Sequence, residues 1–79
     1  MRLDKYLKVS RLIKRRTIAN QACDADKILV NDKVARASYN VKIGDVIEIN
    51  MGRTPLKARV VSIAETVGKD GAADLYEVL

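Results

Sequence analysis

The sequence has no histidine, no phenylalanine and no tryptophan, a single cysteine (Cys23) and a single proline (Pro55). Without histidine it lacks the side chain most used for acid–base work near neutral pH and for metal ligation. One cysteine makes neither an internal disulfide nor a Cys-pair metal site, which agrees with a reducing cytosol, and a cytoplasmic location is expected. There is no glycine-rich phosphate loop and no serine in a nucleophile context. Carboxylates remain, but 79 residues leave little volume for a shielded pocket. These absences point away from an enzyme and toward a binding module, with no cofactor and no metal expected. Tyr6, Tyr39 and Tyr76 are the only aromatics, so the core must come from Val, Ile, Leu and Ala. The same scarcity limits any mechanism that stacks unpaired bases on aromatic platforms. No apolar run approaches the length of about eighteen residues that a membrane span needs, so no membrane partner is expected. Charges every two or three residues also break the apolar core that a signal peptide would carry.

Charge is abundant and unevenly placed. Residues 1–16 hold seven of the fifteen basic side chains and one of the ten acids, a formal +6, and the other sixty-three residues hold eight and nine, a formal −1. Charge crowded onto one end repels itself, and a partner dense in negative charge, such as a nucleic-acid backbone, is the simplest reason for it. The plain alternative is a set of solvated faces on amphipathic helices. The binding reading assigns phosphate contacts to Arg, whose planar fork holds two oxygens, and to Lys as a mobile point charge.

The periodicity predicts two helices followed by strands. Over 3–9, Leu3, Tyr6 and Leu7 share one side, with Arg2, Lys5 and Lys8 on the other. Ser10 is a break or cap. A second helix is expected from about Arg15 to Ala25, with Ile18, Ala19, Ala22 and Ala25 as its apolar stripe and Cys23 as a small core residue beside it. Leu12 and Ile13 pin the linker to the core. Strands are expected at 28–30, 46–49, 56–63 and 76–79, with turns at Asn31-Asp32, Gly44-Asp45 and Gly52-Arg53. Residues 67–71 read as a loop and 72–75 as one helical turn. Tyr6 is expected in the core and Tyr39 as a half-buried loop residue. The class is α+β, two N-terminal helices and then a small, mostly antiparallel sheet, in one domain spanning 1–79.

Within that frame, Arg2-Leu3-Asp4-Lys5-Tyr6-Leu7, Arg16 with Ala19, Ile28-Leu29-Val30-Asn31-Asp32 and residues 38–47 (Ser-Tyr-Asn-Val-Lys-Ile-Gly-Asp-Val-Ile) together resemble the S4 (alpha-L) RNA-binding domain. The resemblance covers about 1–50, with the strands at 56–63 and 76–79 beyond it. Where that family usually has glycine, this chain has Asp26 ahead of the first strand and Asp32 in the turn, and Asp is among the few residue types that visit the left-handed region. The chain's start, length and ending are similar to the small stand-alone S4 members of bacterial ribosome-associated quality control. That resemblance implies a factor that binds large ribosomal subunits obstructed by peptidyl-tRNA. It would support template-free C-terminal alanine tailing of the stalled chain. The implied partners are rRNA of the large subunit, the peptidyl-tRNA and a tailing factor on the same particle, with the protein itself a monomer. An S4 protein of ribosome assembly or of heat-shock recycling of large subunits is the alternative within the family; a basic protein–protein adaptor is the alternative outside it.

The candidate RNA-binding residues are Arg2, Asp4, Lys5, Lys8, Arg11, Lys14, Arg15, Arg16 and Asn20. Asp4 has two readings. It is either a helix N-terminal charge favourable to the dipole, or a group that fixes a neighbouring Arg fork or accepts from a base or 2′-OH. Arg16 lies where a helix N-terminus would add backbone N–H donors to its own. Asn31 reads as a turn residue.

Overall fold

The computed structural model describes residues 1–64 and 68–79, with Lys69, Asp70 and Ala73 described as backbone only. The first helix, α1, spans Leu3–Val9 as its periodicity predicts, and Leu3, Tyr6 and Leu7 are fully buried. Ser10 caps it, donating from Oγ to the Leu7 carbonyl at 3.2 Å. Arg11 then takes a left-handed conformation (φ 61°), a position usually filled by Gly or Asn, which stops the helix and turns the chain. Ile13 is buried and Leu12 packs on the core, so both hold the linker as expected.

The second helix, α2, spans Arg16–Asp24. Its buried stripe is Ala19, Ala22 and Cys23, whereas Ile18 is 40% exposed and Ala25 lies beyond the helix end and is exposed. The buried arc is rotated from the expected stripe toward Cys23, which is a core residue as expected, and Ile18 is left at its rim. Burial, then the charges of Asp4 and Asp24, push the Cys23 thiol up to about 11, so it stays protonated in the core.

Among the described residues five strands follow: β1 (Ile28–Val30), β2 (Lys33–Val34), β3 (Val46–Ile49), β4 (Leu56–Val60) and β5 (Tyr76–Val78). They form one sheet in the order β2-β1-β3-β4-β5, with every pairing antiparallel. Ile28, Val30, Ile47, Ile49, Ala58 and Val60 alternate along β1, β3 and β4 and are buried. All but Ala58 join the cluster that contains the helices' apolar side chains. β4 stops at Val60 and not at Ile63, because the N–H groups of Val61 and Ser62 both turn to the Leu75 carbonyl. That carbonyl also accepts from the Tyr6 hydroxyl at 2.6 Å, which ties α1 to the entry of β5. Val67, part of the expected 67–71 loop, lies outside the described residues; the rest of that stretch is largely helical, since Lys69–Ala72 form the short helix α3, followed by a 3-10 turn at Ala73–Leu75. Among the described residues, no helix is long and apolar enough to cross a membrane.

Two local devices fix the loops. Val30 pairs with Lys33, so Asn31 and Asp32 (φ 52° and 68°) make a two-residue hairpin turn with both central residues left-handed. Asp45, buried, then clamps three segments. It accepts from Asn31 Nδ2 at 3.1 Å, the Tyr39 hydroxyl at 2.8 Å and the Lys42 N–H at 3.0 Å, while Asn31 Oδ1 accepts from the Val46 N–H. Burial alone would raise the Asp45 pKa; these bonds and the Lys42 charge outweigh it and hold it below the ordinary carboxylate value. Tyr39 is half-buried, as expected, and Asn31 is a turn residue that also builds this clamp.

A left-handed aspartate costs more than a glycine, and the Asp32 carboxylate makes no hydrogen bond with a described residue. Asp32→Gly should therefore stabilise the fold by about 0.5–1 kcal/mol once glycine's extra unfolded-state entropy is subtracted. For a domain of this size that is a rise in melting temperature of roughly 2–8 °C. A lower melting temperature would mean that the carboxylate contributes more than its backbone strain removes.

Candidate nucleic-acid interface

The chain's first residues are held by the 36–41 segment. The N–H of Leu3 donates to the Tyr39 carbonyl, that of Asp4 to the Ala37 carbonyl and that of Val41 to the Met1 carbonyl. Arg2 pairs across to Asn40 as an isolated bridge. This backbone frame fixes Arg2 and Asp4 at the start of α1, and the packing of α1 on α2 brings Arg16 and Asn20 to them.

Asp4 is the hub. Its residue is 2% exposed, yet its carboxylate carries two guanidinium forks. Arg2 donates through Nε to Oδ1 at 3.2 Å and through Nη2 to Oδ2 at 3.5 Å. Arg16 approaches through Nε to Oδ2 at 3.3 Å and Nη2 to Oδ1 at 3.4 Å. Asn20 Nδ2 adds a bond to Oδ2 at 3.3 Å and the Lys5 N–H one to Oδ1 at 2.8 Å. Burial works to raise the Asp4 pKa; hydrogen bonds from Arg16, Asn20 and the Lys5 N–H, with the Arg16 charge, outweigh it and leave the pKa below its ordinary value. Asp4 is thus ionised at neutral pH, and of its two sequence readings the pairing with Arg is the geometry found.

One carboxylate between two guanidiniums leaves a net positive charge. The Arg2 and Arg16 side chains are 52% and 48% exposed, against 3% for Asp4. Each guanidinium has five N–H donors and directs two of them at Asp4, so three on each are left for another acceptor. The arrangement is a preset pair of cationic forks, locked from below and open to solvent.

Around this pair stand the other candidates. Lys8 on α1, Arg11 after it, Lys14 in the linker and Arg15 ahead of α2 are all exposed. Their side chains make no hydrogen bond or ion pair with a described residue. Lys5 is half-buried on α1. The Arg15 side chain, at the N-cap of α2 next to Arg16, makes no capping hydrogen bond with a described residue. The cluster brings together Arg2, Asp4, Arg16 and Asn20; Lys8, Arg11, Lys14 and Arg15 share the same end of the chain without joining it. By contrast, Lys57 is paired with Glu48 at 3.6 Å and Arg59 faces Glu77 at 3.9 Å on neighbouring strands.

Sequence reasoning missed Arg36. It stands alone in its stretch, with no charge run to mark it, and only the hydrogen bonds of 37–39 to Leu3 and Asp4 carry it to the rim of a groove of about 380 Å³ beside Arg2. Thr17 and Gln21 were missed likewise; they line a shallow depression with Asp4, Arg16 and Asn20.

Comparison with known proteins bears on the family. The S4 domain model matches residues 1–47. An RQC P-site tRNA stabilizing factor of Halalkalibacterium halodurans is 50% identical over 78 residues, covering 99% of this chain and 89% of the relative. One of Streptococcus pneumoniae is 44% identical over 79 residues, covering 100% and 90%. The trimeric structure of heat shock protein 15 from Vibrio cholerae superposes with a TM-score of 0.92 at 29% identity, covering all of this chain and 81% of that one. Two helices followed by this antiparallel sheet, with the family's motif over the first forty-seven residues and relatives matched over 99–100% of this chain, place the chain in the S4 domain family, among the RQC P-site tRNA stabilizing factors.

Proposed function

We propose that the chain is a non-catalytic RNA-binding factor of ribosome-associated quality control, acting in the cytoplasm as a monomer. It binds large ribosomal subunits obstructed by peptidyl-tRNA and holds that tRNA for template-free alanine tailing by a second factor on the same particle. The observation that carries this reading is the Arg2–Asp4–Arg16 cluster, in which a buried carboxylate presets two half-exposed guanidinium forks. Phosphates of folded RNA suit such forks, because each pair of parallel N–H groups meets two oxygens. Lys5, Lys8, Arg11, Lys14 and Arg15 extend the field around them, and Asn20 steadies the hub. Asp4 serves as a positioning residue for both arginines. The names of the relatives support the tRNA and the quality-control setting. Heat-shock recycling of large subunits rests on the 29% identical structural neighbour, a weaker likeness than the 50% identical relative.

If the head neutralises about four phosphates, log K should fall with log salt at a slope of about −3 to −4. The measurement is an anisotropy titration against large-subunit rRNA fragments and tRNA at several salt concentrations. A slope near zero would remove the phosphate-binding reading. Ribosome association that survives ribonuclease would favour a protein–protein adaptor instead.

A further inference from the structure

The groove that Arg2 lines differs from the cationic cluster in its balance of charge, with Arg2 and Arg36 set against Asp24 and Asp26 where the cluster sets two arginines against one carboxylate. Arg36 and Ser38 line it together with Arg2 and Asn20, and Asp24 and Asp26 come from the last residue of α2 and two residues beyond, over a small-residue floor of Cys23 and Ala37. Asp24, Asp26, Arg36 and Ser38 are exposed, and their side chains make no hydrogen bond or ion pair with a described residue, including one another. Opposite charges line one groove without closing on each other. With two carboxylates offsetting its two arginines, the groove attracts a phosphate less than the net-positive Arg2–Asp4–Arg16 cluster does. It suits a ligand with donors on one edge and acceptors on another.

We propose that this groove receives one unstacked guanine base of the bound RNA. Guanine presents N1–H and N2–H₂ donors along its Watson–Crick edge, which a carboxylate accepts as a pair, and O6 and N7 acceptors on its other edge, which match an Arg fork. Adenine has no such pair of donors, and the pyrimidines have no second acceptor edge. The groove volume of about 380 Å³ falls in the range of small-ligand sites. The floor of Cys23 and Ala37 leaves room for a planar ring without an aromatic platform, and an Arg plane is itself a stacking surface for an unpaired base.

Asp26, held in a left-handed conformation with φ 60°, lines the groove together with Asp24. The Asp26 carboxylate is therefore a specificity-determining group of this chain, adding one base to a recognition otherwise based on RNA shape and backbone.

The inference rests on the RNA-binding reading, and its test is separable from it. ¹⁵N-labelled protein is titrated with guanosine, inosine and adenosine 5′-monophosphates at constant ionic strength, following backbone amides. GMP should shift the amides of residues 24–26 and 36–38. IMP, which lacks the N2 amine, should bind there roughly tenfold more weakly, the loss expected when a hydrogen bond to a charged group is removed. AMP should leave those amides unmoved. Asp26→Gly relaxes the backbone, so it should fold at least as well, yet bind GMP and IMP alike. Equal shifts from GMP, IMP and AMP, or shifts confined to the surroundings of Arg16 and Thr17, would overturn the inference and leave the phosphate-binding cluster standing. Loss of the salt slope in the wild type would instead sink the RNA reading itself.

Discussion

Arg16→Ala is expected to lower affinity for large subunits about 10- to 100-fold, while Lys57→Ala changes it by no more than about twofold. The first value follows from removing charge-assisted hydrogen bonds, worth about 1.5–3 kcal/mol, at a tenfold change per 1.4 kcal/mol. The second follows because Lys57 already faces Glu48 and belongs to the nearly neutral sheet, where one exposed charge adds little. Arg2→Ala should resemble Arg16→Ala, and each should reduce the salt slope by about one unit. Asp4→Asn separates position from charge. It raises the net charge by one, so the slope should not fall. It also frees two guanidiniums that must then be ordered on binding, at about 0.5–1.5 kcal/mol each, so affinity should drop roughly 5- to 100-fold. Sedimentation with purified subunits, beside thermal melts of each variant, reads all four. Equal losses for Arg16→Ala and Lys57→Ala would reduce the cluster to a solvated surface. Tighter binding by Asp4→Asn would show that Asp4 only weakens the forks it holds.

The second large effect concerns what the forks bind. Large subunits carrying peptidyl-tRNA should bind the protein about 10²- to 10⁴-fold more tightly than empty subunits or free tRNA. Two modest contact sets on one rigid particle act as a bivalent site, so the second contact forms at high effective concentration. The chain is suited to this because its cations cover α1, the linker and the start of α2, a surface wide enough to meet two RNA elements. Few aromatics are available to draw it to single strands instead. The comparison uses purified subunits with and without peptidyl-tRNA, tRNA alone and an unrelated single-stranded RNA. Equal binding to empty and obstructed subunits would remove the quality-control reading and favour an assembly role. Tightest binding to the single strand would contradict recognition by shape.

Much of the fold was legible because its signals are local. The Leu3–Tyr6–Leu7 spacing, Ser10 and the short β-type runs each mark an element by period or by cap, and α1, β1 and β3 have the bounds those signals give. The Asn31-Asp32 turn was legible from residue type alone, since both take the left-handed conformation that Asn and Asp tolerate. The errors occur where tertiary contacts decide. Ile18 looks apolar in any periodic count but sits at the rim of α2, and β4 ends early because Leu75, far along the chain, captures the next two N–H groups. The site divides in the same way. Arg2, Asp4, Arg16 and Asn20 could be named from the charge excess and the family motif, but that Asp4 joins both arginines at once needs the helix pair to be folded. Arg36 carried no sequence signal at all, because backbone bonds from 37–39 to the first turn of α1 bring it to Arg2.

The central claim is that the α1–α2 face, led by Arg2 and Arg16, is the surface that meets RNA. A cryo-EM map of particles isolated with the tagged protein tests it directly. Arg2 and Arg16 should lie against phosphates where peptidyl-tRNA and large-subunit rRNA come together, with the Lys57–Arg59 surface of the sheet turned away. RNA seated on that sheet surface, or a protein covering the α1–α2 face, would contradict it.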